Sequence, residues 1–80
     1  MKVRVLAFAR LRELLGEARD VELPPGSTVA SLWEMLATSC PELRNMAGST
    51  RIARNERIVK MSQTLGEGDE IALFPPVSGG

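Results

Sequence analysis

Only one stretch of this 80-residue chain has the apolar spacing of a helix long enough to cover a sheet. Val29, Leu32, Trp33 and Leu36 fall at i, i+3, i+4 and i+7, which places them on a single stripe. Ser27 or Thr28 is the expected N-cap. Pro41 ends the segment, because the residue before a proline avoids helical geometry. A chain of this length holds one hydrophobic core, so everything else must be arranged around that helix.

The flanking segments read as strands. Lys2 to Phe8 is Val-rich and alternates at its start, and Arg19 to Leu23 sets Val21 and Leu23 against Asp20 and Glu22. Between them, Leu11, Leu14 and Leu15 predict a short helix closed by Gly16. Pro24-Pro25-Gly26 is a turn, Glu42 to Met46 one further helical turn, and Ala47 to Thr50 a loop. Arg51 to Ala53 and Arg57 to Met61 predict two short strands around Arg54-Asn55-Glu56. After the polar turn Gly66-Glu67-Gly68-Asp69 comes a last strand, Glu70 to Phe74, ended by Pro75. The plan is α+β, one main helix on a mixed sheet, with the first and last strands parallel neighbours in its centre.

Strand alternation predicts a surface as well as a core. Ile71 and Leu73 share the face toward the helix, which leaves Ala72 and Phe74 on the other. Val3 and Val5 fit the core, which sends Arg4, Leu6 and Phe8 outward, and Ile58 and Lys60 take the same outward parity. Phe8, Ile58 and Phe74 are thus expected to form an apolar patch on the open face, a docking surface for a partner. A bulge that turned one of them inward would place it at the rim of the core instead.

Several function classes are excluded by composition. Ten basic and ten acidic residues give no net charge, which argues against nucleic acid as the main partner. No apolar run suits a bilayer span and charges interrupt the N-terminus, so no membrane association and a cytoplasmic location are expected. With no His and only Cys40, neither a metal site nor a Ser-His or Cys-His nucleophile pair is expected. Cys40 itself reads as structural or incidental. Arg51, Arg54, Arg57 and Lys60 form a local basic cluster, either a solvated strand surface or a contact for acidic groups on a partner.

The sequence closes on Phe74-Pro75-Pro76-Val77-Ser78-Gly79-Gly80. Gly79 and Gly80 add nothing to packing, and their natural use is as a reactive handle whose slim carboxyl enters a narrow active site. That carboxylate is ionised at pH 7 and a poor electrophile, so it must be activated, for example as an acyl-adenylate. The chain has no phosphate-binding loop, so a separate enzyme must supply ATP and no cofactor is expected on this chain. Pro75 and Pro76 favour polyproline II geometry, in which residues 75–80 reach roughly 19 Å. Val77 is the one bulky side chain beyond the prolines, suited to anchoring the tail. The expected division is a domain over residues 1–76 and a flexible Gly-Gly tail over residues 77–80.

The run from Gly68 to Gly80 resembles the closing signature of the MoaD branch of the MoaD/ThiS sulfur carriers: Gly-Asp-Glu, four apolar residues, Pro-Pro-Val, a small residue, Gly-Gly. Phe8-Ala9-Arg10-Leu11-Arg12-Glu13-Leu14-Leu15-Gly16 resembles that branch's opening. The Arg-rich surround of Asn55 departs from the family, which more often has small or apolar residues there. The resemblance implies a β-grasp, ubiquitin-like fold and the role of small subunit of molybdopterin synthase, not an enzyme alone. It implies that Gly80 is adenylated by an adenylyltransferase resembling ubiquitin-activating enzymes, then made a thiocarboxylate by a sulfurtransferase. The tail then delivers sulfur to precursor Z (cyclic pyranopterin monophosphate) inside the large subunit, two small subunits flanking a large-subunit dimer. By position, Phe8, Ile58 and Phe74 match apolar interface residues, with Pro75, Pro76 and Val77 entering the partner and Arg12 a rim contact or a plain surface ion pair. Two other readings use the same activated glycine: a ubiquitin-like modifier joined to lysines through Gly80, and a carrier of another pathway such as thiamine synthesis.

Overall fold

The computed structural model describes residues 1–76. The order is β1 (Lys2–Ala7), α1 (Arg10–Leu15), β2 (Ala18–Glu22), α2 (Val29–Ser39), a 3-10 turn (Pro41–Asn45), β3 (Arg51–Arg54), β4 (Arg57–Val59) and β5 (Glu70–Phe74). The five strands form one sheet in the order β2-β1-β5-β3-β4. β1 and β5 are parallel, with Val5 opposite Ile71 and Ala7 opposite Leu73. The other three pairings are antiparallel. This is a β-grasp: a mixed sheet wrapped on one main helix, as the periodicity and the resemblance both predict.

α2 starts where its chemistry allows. Thr28 is the N-cap, its hydroxyl accepting from the Ser31 N–H while Ser31 Oγ accepts from the Thr28 N–H. The remaining free donors of the first turn are met from elsewhere in the chain. Val29 N–H donates to the Gln63 carbonyl at 2.9 Å and Ala30 N–H to that of Met61 at 2.8 Å. That contact explains why β4 stops at Val59 rather than running to Met61. Past Val59 the chain must turn away from the sheet to reach the head of the helix.

Val29, Leu32, Trp33 and Leu36 are all buried, facing Val3, Val5, Ile71 and Leu73 from the sheet. Leu11 and Leu15 of α1 and Leu43 of the 3-10 turn close the ends of this core. The Trp33 indole N–H is buried without an acceptor among the described residues, a cost of about 1–3 kcal/mol set against the area the ring buries.

Between β1 and α1 the chain reverses at Phe8-Ala9-Arg10-Leu11. The Leu11 N–H donates to the Phe8 carbonyl at 3.1 Å, and Ala9 has φ 51° and ψ −127°. That is the first central position of a type II′ turn, where glycine is favoured because a Cβ is strained. Ala9→Gly is therefore expected to raise stability in equilibrium urea unfolding by roughly 1 kcal/mol, strain relief exceeding glycine's added chain entropy. A fall in stability would show that the Ala9 methyl makes a contact worth more than the strain.

Candidate functional site

The helix covers one face of the sheet and leaves the other open. On the open face the register aligns side chains from every strand. Leu6 stands opposite Ala18 on β2 and Ala72 on β5, Ala72 opposite Ala53 on β3, and Ala53 opposite Ile58 on β4. An apolar row thus crosses all five strands. Ala53 is 6% exposed yet stands outside the core cluster, so its neighbours in this row and beside it bury it.

Phe8 and Phe74 lie one step further along the strands. Their rings stack with centroids 4.8 Å apart and planes 6° from parallel, an arrangement that fixes both rings against each other. The backbone holds the pair as well, since the Phe8 N–H donates to the Leu73 carbonyl. Phe74 is half-buried, Phe8 is 42% exposed and Ile58 65% exposed. Ile58 does not touch the aromatic pair: it lies on the second strand over from β5, about 10 Å across the sheet. Ala53 and Ala72 connect them. Strand alternation already sets Ala72 on this face, whereas Ala53 and Ala18 escape sequence reasoning because only cross-strand register brings them into line.

Pro75 and Pro76 follow directly on Phe74, half-buried and exposed respectively. The chain therefore leaves the sheet beside the stacked rings. Val77, Gly79 and Gly80, assigned to the tail, lie outside the described residues. Arg12, on α1, is exposed and pairs with Glu17 at 3.6 Å. Cys40 is half-buried against the core at the C-cap of α2. Among the described residues no helix is long and apolar enough to cross a membrane.

At the opposite end of β5 a polar clamp fixes the β3–β4 hairpin. Asp69 is 6% exposed. Its carboxylate accepts from Arg54 Nε at 2.7 Å, from Asn55 Nδ2 at 3.0 Å and from the Gly66 N–H at 2.7 Å. Asn55 Oδ1 in turn accepts from the Glu70 N–H, and the Asn55 N–H donates to the Glu70 carbonyl. Asn55 and Glu56 both have positive φ, the geometry of a two-residue hairpin turn that Asn adopts readily. The clamp holds β3 and β4 on β5, and so sets where Ile58 stands.

Burial alone would raise the Asp69 pKa. Hydrogen bonds from Arg54, the Gly66 N–H and Asn55, with the nearby Arg54 charge, outweigh it and hold the carboxyl below its ordinary value of 3.8. A folded pKa below the unfolded one means that the unfolded chain binds more protons between the two. The clamp's stabilisation is therefore full above the unfolded value and is lost as pH falls below 3.8 toward the lowered folded pKa. Asp69→Asn is expected to cost about 1–3 kcal/mol near neutral pH. Urea midpoints measured from neutral to acid pH should show the gap between wild type and variant closing through that window. A gap independent of pH would contradict the clamp.

Residues 5–80 match the ThiS family. The chain is similar to the molybdopterin synthase sulfur carrier subunit of Mycobacterium tuberculosis, 38% identical over 82 residues, covering 100% of this chain and 99% of that protein. Among solved structures it is similar to SAMP1, small archaeal modifier protein 1, of Haloferax volcanii, with TM-score 0.86, 28% identity and full coverage of both chains. It is also similar, with TM-score 0.70, 26% identity and full coverage of both chains, to a chain in the complex of subunits 1 and 2 of the molybdopterin-converting factor from Helicobacter pylori.

Proposed function

The chain belongs to the ThiS family, and on that premise we propose that it is the sulfur carrier subunit of a molybdopterin synthase. The observation that carries this reading is the exit of β5: Phe74, stacked on Phe8 at the edge of the open apolar face, leads straight into Pro75 and Pro76. A partner seated on that face receives the C-terminal segment by continuity of the chain. The Mycobacterium tuberculosis relative, matched over nearly its whole length, supports the same role.

Gly80 supplies the reacting carboxylate. An adenylyltransferase resembling ubiquitin-activating enzymes joins it to AMP, with ATP as co-substrate and pyrophosphate as leaving group. Sulfur supplied at the sulfide level by a sulfurtransferase then attacks the acyl carbon and AMP departs as leaving group, leaving a thiocarboxylate. Inserted into the large subunit, the tail gives its sulfur to precursor Z on the way to the dithiolene of molybdopterin. The side chains that act on the pterin belong to the large subunit, in an assembly of two small and two large subunits. This chain contributes the handle, the stiff Pro75-Pro76 exit and the docking face.

The likeness to a small archaeal modifier favours one second reading, in which the activated Gly80 ends in an isopeptide bond to lysines of other proteins. Intact-mass and peptide analysis of the protein from its own cells separates the two. Exchange of one oxygen for sulfur, confined to the C-terminal peptide, is the expected result. Lysine-linked conjugates with no thiocarboxylate would overturn the sulfur-carrier reading in favour of the modifier.

A further inference from the structure

The open face is sorted along its strands into three bands. At the end nearest the Asp69 clamp the side chains are charged: Arg4 stands opposite Asp20 and Glu70, and it pairs with Asp20 at 3.7 Å. The apolar row fills the middle. At the end where the chain leaves the sheet, Arg51 stands directly opposite Phe74. Lys60 is the first residue past β4, next to Val59, whose cross-strand partner Ile52 adjoins Arg51. Both cations are exposed. No ion pair among the described residues involves either one.

Glu70, the acid on the same face of β5, is four residues from Phe74, about 13 Å along the strand. That exceeds the Debye length of about 8 Å at physiological ionic strength. Among the described residues Arg51 and Lys60 are therefore an uncompensated positive edge on a face whose other charges are mixed. A partner that covers Phe8, Phe74 and Ile58 also strips water from Arg51. Removing water from an unpaired guanidinium is costly unless an opposite charge replaces it.

We propose that Arg51 and Lys60 form a cationic rim of the docking face, and that the large subunit sets Asp or Glu carboxylates against them. This rests on the sulfur-carrier reading and adds the chemistry by which the partner is selected. The rim acts mainly on encounter and on rejection of wrong partners, while the stacked rings and Ile58 hold the complex once formed. Arg51 is the stronger element, since its planar fork can take a carboxylate in two parallel hydrogen bonds beside the Phe74 ring.

The test is binding of the full chain to the molybdopterin synthase large subunit of the same organism, at low and high ionic strength. Arg51→Glu with Lys60→Glu is expected to weaken binding at least about tenfold at low salt, mainly through the association rate, and to reverse its salt dependence, because salt screens the new repulsion between like charges. Phe74→Ala, which keeps the fold because the ring lies outside the core, is expected to weaken binding at every salt concentration and to leave the salt dependence in place. Should the charge reversal unfold the chain, Arg51→Gln with Lys60→Gln is expected to give a smaller loss at low salt and a flattened salt dependence. Wild-type affinity and salt dependence in the charge variants, with Phe74→Ala impaired, would overturn the rim and leave the sulfur-carrier reading standing. Wild-type affinity in Phe74→Ala, or no binding by the wild-type chain, would overturn the docking face and the rim with it.

Discussion

A five-stranded sheet has two faces, and this chain has one helix with which to cover them. α2 can bury Val3, Val5, Ile71 and Leu73 against Val29, Leu32, Trp33 and Leu36, and no comparable element remains for the reverse side among the described residues. The consequences follow from that shortage. A sheet face left to solvent should be polar, as it is where Arg4, Asp20 and Glu70 lie. Instead the row Ala18, Leu6, Ala72, Ala53 and Ile58 is apolar from edge to edge, and two rings stack beside it. An apolar band of this kind on a small domain marks a surface made for a partner. The chain's exit through Pro75 and Pro76 at the same edge ties that surface to the C-terminal segment.

The central β1–β5 pair makes this arrangement possible. Because the two strands run parallel, β5 ends beside the end of β1, so Phe74 meets Phe8 and the following residues leave at that point. The parallel pairing also places Asp69, just before β5, beside the start of the sheet, where its backbone carbonyl accepts from the Arg4 N–H. Its carboxylate meanwhile gathers Arg54, Asn55 and Gly66. One end of β5 is thus fastened by a buried, charge-assisted network, and the other is free to present aromatic surface.

Much of this was legible in the sequence because it depends on periodicity. The helix stripe, the alternation of Ile71, Ala72, Leu73 and Phe74, and the central pairing of the first and last strands all follow from local pattern and length. What escaped depends on contacts between distant segments. β4 ends early because Met61 and Gln63 are recruited to the head of α2, a backbone bond that leaves no trace in side-chain pattern. The Asp69 clamp draws on residues from two loops, one through its backbone alone. Ala9 carries a positive φ that sequence rules reserve for glycine. The alanines of the open face look inert until register lines them up, and the uncompensated position of Arg51 emerges only once Phe74 is seen opposite it.

We assign partner binding to the open sheet face and not to the helix side. Backbone amide chemical-shift mapping of the isotope-labelled chain against the unlabelled large subunit tests it most directly. The largest perturbations are expected at Phe8, Arg51, Ala53, Ile58, Ala72 and Phe74, with α2 little changed. Perturbations centred instead on the groove between β2 and α2, at Arg19, Val21, Met35 and Thr38, would contradict it.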